Sequence, residues 1–206
     1  SGWLRNWIAS STDEPARINI EEMVHASESG RLVMSNGPFL EALVVTEYDG
    51  KIREAGPGED IIDADGEVDL SIKVQCPNWF DVDRVQIFIN GRADATHDFR
   101  RREYPSLFSR DVVRFQHTIP IKLNRDAHLI VATIGEESAL GPVMGPQHAK
   151  EKPVAVTNPI FVDIDGDGFS PNGDLLGLSI PHQPTLTHRR RVHGHAHPHG
   201  QTQSKK

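Results

Sequence analysis

The segment from Phe161 to Asp174, FVDIDGDGFSPNGD, contains four aspartates and three glycines. Calcium prefers carboxylate and carbonyl oxygens, and the helix-loop-helix calcium loop takes them from alternate positions, with glycine at the central turn and an acidic last ligand. Gly168 falls at that turn when the loop is counted from Asp163. The spacing therefore predicts a calcium site whose metal ligands are Asp163, Asp165, Asp167, Phe169 through its carbonyl oxygen, and Asp174.

The flanks of this loop differ from those of a helix-loop-helix site. Residues 159–162 (PIFV) have the composition of a strand, and Pro171 and Pro181 disfavour a following helix. The last acidic residue, Asp174, is also shorter than the usual glutamate. The sequence predicts a structural calcium clip at the end of a strand, and the alternative left open is a pair of Asp-Gly turns without an ion.

The remaining polar motifs offer little for catalysis. His97-Asp98 is the one adjacent acid-base pair, and an independent hydrolase built on His97, Asp98 and His117 is kept as an alternative. No Gly-x-Ser-x-Gly motif and no glycine-rich phosphate loop occurs. Cys76 is the single cysteine, which excludes an internal disulfide and a cysteine-rich zinc site. We therefore assign no catalytic residue.

Two charged segments stand apart from the rest of the chain. Residues 92–111 contain four arginines after Arg92, which would contact an anion or a partner or else lie on a solvated loop: Arg100, Arg101, Arg102 and Arg110. Residues 176–206 are rich in histidine and arginine, and His193, His195, His197 and His199 alternate. Neutral imidazoles bind transition metals. We expect a disordered, low-complexity tail that binds such metals weakly or has no role.

The charge of the chain constrains its partners. From His182 onward there are five Lys or Arg and no acidic residue, so the rest of the chain has 17 Lys or Arg against 29 Asp or Glu, a net charge of −12. An acidic body argues against binding to nucleic acid. No apolar run is long enough to span a membrane. An extracytoplasmic location is favoured, because millimolar calcium there fills sites of modest affinity.

The period of the apolar residues indicates a mainly β fold. In residues 67–76 (EVDLSIKVQC), apolar and polar residues alternate strictly, as in a strand with one buried face. Similar patterns predict strands at 39–47, 82–90, 112–121, 128–134 and 154–162. Asn19, Glu22 and Gly30 mark a short N-terminal helix with a capping box and a glycine stop. The prediction is an immunoglobulin-like antiparallel β-sandwich with one short helix.

Three segments resemble a known family. The segment GRLVMSNGP (30–38) is similar to a junction segment of carbaryl-hydrolase-like (CehA/McbA) metallohydrolases of the polymerase and histidinol phosphatase (PHP) superfamily. Asp83-Arg84-Val85 with Ile89-Asn90-Gly91 looks like the central sandwich hairpin of that family. The segment TNPIFVDIDGDG (157–168) resembles the one with which those proteins close. Ser35 stands where the family usually has threonine.

The resemblance implies a division of the chain and a function. Residues 1–30 would be the trailing helical segment of an upstream α/β catalytic domain, 31–175 a β-sandwich accessory domain, and 176–206 the tail. The divalent metal of the family would lie in that upstream domain, whose ligand motifs have no counterpart here. The expected function is a non-catalytic domain of a hydrolase acting on ester, amide or phosphoester bonds. The alternative is a free-standing, calcium-stabilised adhesion or carbohydrate-binding module, which a row of exposed aromatic residues would favour.

Overall fold

A computed structural model describes residues 3–48 and 50–177 of the chain. In these residues strands predominate, and they are listed here in chain order: β1 (Arg5–Ile8), β2 (Leu32–Ser35), β3 (Phe39–Tyr48), β4 (Lys51–Ala55), β5 (Asp60–Ile62), β6 (Glu67–Gln75), β7 (Arg84–Ile89), β8 (Arg92–Arg100), β9 (Val113–Lys122), β10 (Ala127–Ile134), β11 (Val154–Thr157) and β12 (Ile160–Asp163). The helices are α1 (Ile20–Glu28) and α2 (Gly145–His148), with short 3-10 turns at Pro15–Arg17, Pro105–Leu107 and Pro142–Met144.

The strands form two sheets that face each other. The smaller sheet has the order β4-β3-β6-β9, and all of its pairings are antiparallel. The larger sheet contains β1, β2, β5, β7, β8, β10, β11 and β12. Its only parallel pairing among the described strands joins β5 to β12. The mainly β, antiparallel sandwich predicted from the sequence is confirmed.

Strand β10 is the centre of the larger sheet. One of its edges pairs with β7, from Leu129 opposite Ile89 to Ile134 opposite Arg84. Its other edge pairs with β12 at the beginning of β10 and with β11 at the end of β10. Beyond β11 the sheet continues through β2 to β1, and beyond β12 it ends at β5. A single strand thus positions three neighbours by hydrogen bonding.

The two sheets enclose one apolar core, and strand alternation supplies it. In β6, Val68, Leu70, Ile72 and Val74 are at most 1% exposed, while the intervening residues face outward. Across the core, β10 contributes Leu129 and Val131. Burial of these aliphatic side chains is the main favourable contribution to folding.

The strand predictions hold for the central elements and fail at the edges. Each predicted segment contains a strand, but 154–162 divides at Asn158-Pro159 into β11 and β12. Proline has no N–H to donate to a sheet, which explains an interruption at this point. The predicted loop at 92–111 is wrong in its first half, because residues 92–100 form β8 in a hairpin with β7.

The N-terminal helix is present, but its contacts differ from the prediction. The side chain of Asn19 accepts a hydrogen bond from the Glu21 N–H at 2.9 Å, as a helix cap does. Glu22 does not complete a capping box; its carboxylate accepts hydrogen bonds from the N–H and hydroxyl of Ser11. Ala26 is the buried residue of α1, whereas Ile20 is 79% exposed.

Residues before the helix also belong to the sandwich. Strand β1 pairs with β2 along its whole length, from Arg5 opposite Ser35 to Ile8 opposite Leu32. The Trp3 ring stacks on His148, with 4.3 Å between centroids. Part of the 1–30 segment is therefore an edge strand of this domain, while its assignment to an upstream catalytic domain stays a prediction.

We expect Leu129→Ala to lower the free energy of unfolding by about 2–5 kcal/mol, because it leaves a cavity between the two sheets. The matched control is Ile52→Ala on the edge strand β4, where Ile52 is 75% exposed. That change should stay within about 0.5 kcal/mol. Chemical denaturation monitored by tryptophan fluorescence measures both, and equal effects of the two substitutions would contradict this account of the core.

Candidate metal site

The aspartate-rich loop begins where β12 ends. Asp163 is only 4% exposed, and its backbone carbonyl accepts a hydrogen bond from the Asp63 N–H at 2.9 Å. Its carboxylate accepts three more, from the N–H groups of Asp165 at 3.2 Å, Gly166 at 2.7 Å and Gly168 at 2.9 Å. The loop therefore folds around the Asp163 carboxylate.

Glycines make this fold of the loop possible. Gly166 and Gly168 have φ angles of +78° and +104°, a region that residues with a Cβ rarely adopt. The backbone can consequently turn back twice within four residues and point its N–H groups at Asp163. This is the local reason for the D-G-D-G sequence.

Four carboxylates converge at this loop. One oxygen from each of Asp126, Asp163, Asp165 and Asp167 lies within 4.8 Å of the others. Asp126 and Asp163 are buried, and Asp165 and Asp167 are exposed. The structure thus brings together three of the predicted ligands and adds a fourth residue that the sequence reasoning missed.

Asp126 reaches the cluster through sheet pairing. It directly precedes β10, whose first residue Ala127 lies opposite Val162 of β12. Its carboxylate accepts hydrogen bonds from the Ile164 N–H at 3.1 Å and the Ser170 N–H at 2.7 Å. In the sequence, Asp126 is an ordinary turn residue, and only the pairing of β10 with β12 reveals its position.

The other two predicted ligands have different surroundings. Asp174 lies outside the cluster and forms a two-pronged ion pair with Arg92, at 2.5 and 2.9 Å. This pairing lowers the pKa of the Asp174 carboxyl. The Phe169 ring packs on Phe161 with 4.9 Å between centroids. The predicted role of the Phe169 carbonyl oxygen stays a prediction.

The cluster has an excess of negative charge. The pKa of Asp167 is raised, first by its hydrogen bond and charge repulsion with Asp165 and then by the charges of Asp163 and Asp126. Burial tends to raise the pKa of Asp163, but its three backbone hydrogen bonds outweigh burial and lower it. Backbone hydrogen bonds thus favour the ionised form of Asp163, whereas charge repulsion from the neighbouring aspartates favours the protonated form of Asp167.

An oxygen-only set of carboxylates suits a hard cation such as calcium or magnesium. Each carboxylate oxygen has a second lone pair beside the one used by a backbone N–H. An open cleft of about 900 Å³ borders the loop and is lined in part by Asp163, Gly168 and Phe169. The donor set therefore fits a divalent cation that remains accessible to solvent.

The segment Asp63–Gly66, whose sequence Asp-Ala-Asp-Gly partly repeats that of the aspartate loop, forms only a turn. The carboxylates of Asp63 and Asp65 both accept a hydrogen bond from the Glu67 N–H, at 3.1 and 2.9 Å. The Thr46 hydroxyl donates to the buried Asp63 carboxylate. Both carboxylates therefore stabilise the turn that connects β5 to β6.

The predicted acid-base pair is not formed. His97 Nδ1 lies 2.6 Å from an oxygen of Asp94, not of Asp98. Both oxygens of Asp98 accept hydrogen bonds from Arg84, at 2.7 and 2.8 Å. His97 and His117 contact the Phe99 ring at 6.3 and 6.0 Å between centroids. This geometry does not support a hydrolytic site built on His97, Asp98 and His117.

Two of the clustered arginines are engaged in a salt-bridge network. Arg100 binds Glu136 at 2.7 Å, and Glu136 also binds Arg84 at 2.7 Å. Arg101 binds Asp81 at 2.9 Å. The Glu136 pairs join β7 and β8 to the loop after β10, and the Asp81 pair joins the end of β8 to the loop before β7. Arg100 and Arg101 are thus paired with acids within the domain.

The alternating histidines of the predicted tail, at 193, 195, 197 and 199, lie outside the described residues. In the part of the chain that is described, no helix has the length and apolar character needed to cross a membrane. Comparison with protein-family models, with curated proteins and with solved structures finds no match to this chain.

The repulsion at Asp167 leads to a pH-dependent prediction. In calcium-free solution, Asp167→Asn should raise the midpoint of thermal unfolding at neutral pH, because it removes a charge whose pKa is raised in the folded state. The gain should vanish as the pH falls below the ordinary aspartate value of 3.8, where Asp167 is protonated in both states.

Asp65→Asn is the matched control, and its effect should have the opposite sign. The pKa of Asp65 is lowered, chiefly by its hydrogen bond from the Glu67 N–H, so its charge stabilises the fold above pH 3.8. Thermal melts of both variants across acidic and neutral pH make the comparison. A stability gain for both at neutral pH, or for neither, would contradict the assigned charges.

Proposed function

We propose that this chain is a non-catalytic β-sandwich domain from the C-terminal region of a metal-dependent hydrolase, of the carbaryl-hydrolase-like branch of the PHP superfamily. It packs against, and supports, an α/β catalytic domain that precedes it in the parent protein. When bound in that upstream domain, the divalent metal would activate water for attack on an ester, amide or phosphoester. The present chain contributes structure to such an enzyme and no reacting group.

One observation carries this proposal: the three segments that resemble the family meet in one sheet and depend on one another. The segment 30–38 contains β2, which pairs with β11. The last residue of β11, Thr157, is also the first residue of the segment 157–168. The central hairpin contains β7, which pairs with β10, and β10 pairs in turn with β12. Motifs far apart in sequence thus form a single structural unit.

The polar residues of these motifs make the joining contacts. The Asn36 side chain donates to the carbonyl of Lys152 and accepts from the Val154 N–H, both at 2.8 Å. The Asn158 side chain donates to the Gly30 carbonyl at 2.8 Å. Asn90 accepts from the His128 N–H at 3.0 Å. Structural requirements of this kind explain why these residues would recur together in a family.

We further propose that Asp126, Asp163, Asp165 and Asp167 hold a structural calcium ion. The backbone N–H groups that donate to Asp126 and Asp163 carry no net charge, so they cannot neutralise four neighbouring carboxylates. A divalent cation would remove the repulsion that raises the pKa of Asp167. Such an ion would fix the end of β12 to the start of β10. Its role would be to stabilise the domain rather than to catalyse a reaction.

The alternative of a free-standing carbohydrate-binding module receives less support. A row of aromatic rings on one sheet would favour it, but of the three exposed aromatic residues in the described chain only Trp7 lies on a strand. Trp7 is on β1, Trp79 follows β6, and Tyr104 follows β8. We therefore retain the domain of a hydrolase as the proposed function.

The gene that encodes this chain provides the direct test. We expect the sequence upstream of Ser1 to encode an α/β domain with clustered His and Asp metal ligands. The longer product should hydrolyse p-nitrophenyl esters or phosphates, lose this activity with a chelator and regain it with added divalent metal. The 206-residue chain alone should have none. A signal peptide leading directly into Ser1, or hydrolysis by the short chain, would refute the proposal.

Calcium titration tests the structural site separately. Isothermal calorimetry of the 206-residue chain should show one main site, and Asp165→Asn should weaken it roughly tenfold or more, because affinity follows the number of charged ligands. Asp65→Asn, in the turn that does not bind, should leave the affinity unchanged. Absence of binding at millimolar calcium would show that the loop is only a turn.

A further inference from the structure

The dipeptide Asn-Gly occurs three times in the chain, at residues 36–37, 90–91 and 172–173. This dipeptide is especially prone to spontaneous deamidation, because glycine has no side chain to hinder the approach of its backbone nitrogen to the asparagine amide. The five other asparagines precede a bulkier residue or a proline. The surroundings of the three pairs in the fold therefore decide which of them can react.

Deamidation has two steps and needs only water and solvent base. The glycine nitrogen gives its proton to the base and attacks the side-chain carbonyl carbon of the asparagine. A C–N bond forms and closes a succinimide ring, the bond from that carbon to the amide nitrogen breaks, and ammonia leaves. Water then opens the ring at either carbonyl and gives aspartate or isoaspartate. The first step requires a free glycine N–H, an asparagine side chain that can turn, and room for the backbone to rearrange.

The fold protects the pair at residues 36–37. Asn36 is only 3% exposed, and its side chain binds the Lys152 carbonyl and the Val154 N–H, both at 2.8 Å. The Gly37 N–H donates to the Ser35 hydroxyl at 2.9 Å. A Cβ built on Gly37 would lie 2.8 Å from a neighbouring ring, so the backbone here is closely packed. None of the three requirements is met.

The pair at residues 90–91 is fixed in the turn between β7 and β8. The backbone N–H of Asn90 donates to the His128 carbonyl at 2.9 Å, and the Asn90 side chain accepts from the His128 N–H at 3.0 Å. Gly91 is covered by Leu176, whose side chain would lie 2.8 Å from a Cβ built on this glycine. The Asn90 side chain cannot turn toward Gly91 without losing its contact with β10.

The pair at residues 172–173 has none of this protection. Asn172 and Gly173 are both exposed. Within residues 3–48 and 50–177, no group accepts a hydrogen bond from the Gly173 N–H. Apart from its neighbours in the chain, no atom lies within 4 Å of a Cβ built on Gly173. All three requirements for ring closure are met.

One contact of Asn172 also favours the reaction. Its side-chain oxygen accepts a hydrogen bond from the Asp174 N–H at 2.9 Å. Negative charge develops on this oxygen when the Gly173 nitrogen attacks, and a hydrogen-bond donor already placed at such an oxygen stabilises the charge. The Asp174 N–H therefore serves the same purpose as a donor in an oxyanion hole.

We propose that Asn172 is a site of spontaneous deamidation in the folded domain, whereas Asn36 and Asn90 are protected by their packing. Both products have a carboxylate at position 172, and isoaspartate adds one carbon to the backbone. Asp174, two residues further on, forms the ion pair with Arg92. Deamidation thus alters the segment that ties the aspartate loop to the β7–β8 hairpin. The inference requires neither a bound ion nor an upstream domain.

Peptide mapping by mass spectrometry, on the 206-residue chain incubated at mildly alkaline pH, measures the three rates. In the folded chain Asn172 should deamidate roughly tenfold or more faster than Asn36 and Asn90, because reaction at the packed sites has to await local opening. In denaturant the three rates should become similar. Equal rates in the folded chain would overturn the proposal, as would a folded chain in which Asn172 does not react while the denatured chain does.

Two substitutions at one position test the hydrogen-bond donor. Asp174→Pro removes the N–H that donates to Asn172, while the matched control Asp174→Ala keeps this N–H and removes only the carboxylate. In the folded chain Asn172 should react several-fold more slowly in the proline variant than in the alanine variant. The same ratio measured in denaturant corrects for any effect of proline on the flexible chain. Equal rates in the two folded variants would overturn the role assigned to the Asp174 N–H.

Discussion

The hydrogen bonding of β10 is the constraint on which the rest of the structure depends. One edge of this strand pairs with β7, while the other is shared between β12 at its beginning and β11 at its end. Pro159 separates the two sharing strands without adding an N–H that would need a partner. The same arrangement brings β2 and β1 to one side of the sheet and β5 to the other.

This pairing also creates the acidic cluster. The start of β10 and the end of β12 are neighbours, so the acids that flank them, Asp126 and Asp163, meet in a buried position. Backbone N–H groups of the glycine-rich loop stabilise these two charges. Asp165 and Asp167 then extend the negative charge toward solvent, where it is not compensated by the backbone alone. The pairing of β10 with β12 is thus the structural origin of the local excess of negative charge.

The accuracy of the sequence analysis follows this division between local and long-range information. Strict alternation predicted β6, because burial of one face requires a period of two, and the strand prediction at 128–134 covers most of β10. Strand β8 was missed, since its charged residues serve a hairpin at the edge of the sheet and show no apolar face. Asp163, Asp165 and Asp167 were predictable from their spacing. Asp126 was not, because its place in the cluster depends on pairing with a strand much later in the chain.

The geometry of β10 finally separates two roles within the domain. Its first residue lies at the aspartate loop, whereas its last, Ile134, lies opposite Val154, whose carbonyl and N–H bind Asn36 in the turn between β2 and β3. Eight residues of extended strand span roughly 25 Å, so the two ends of the sandwich are well apart. An ion at the loop would therefore lie roughly one strand length from the Asn36 turn. The proposed ion would thus stabilise one end of the sandwich, whereas the Asn36 side chain joins β2 to the start of β11 at the other end.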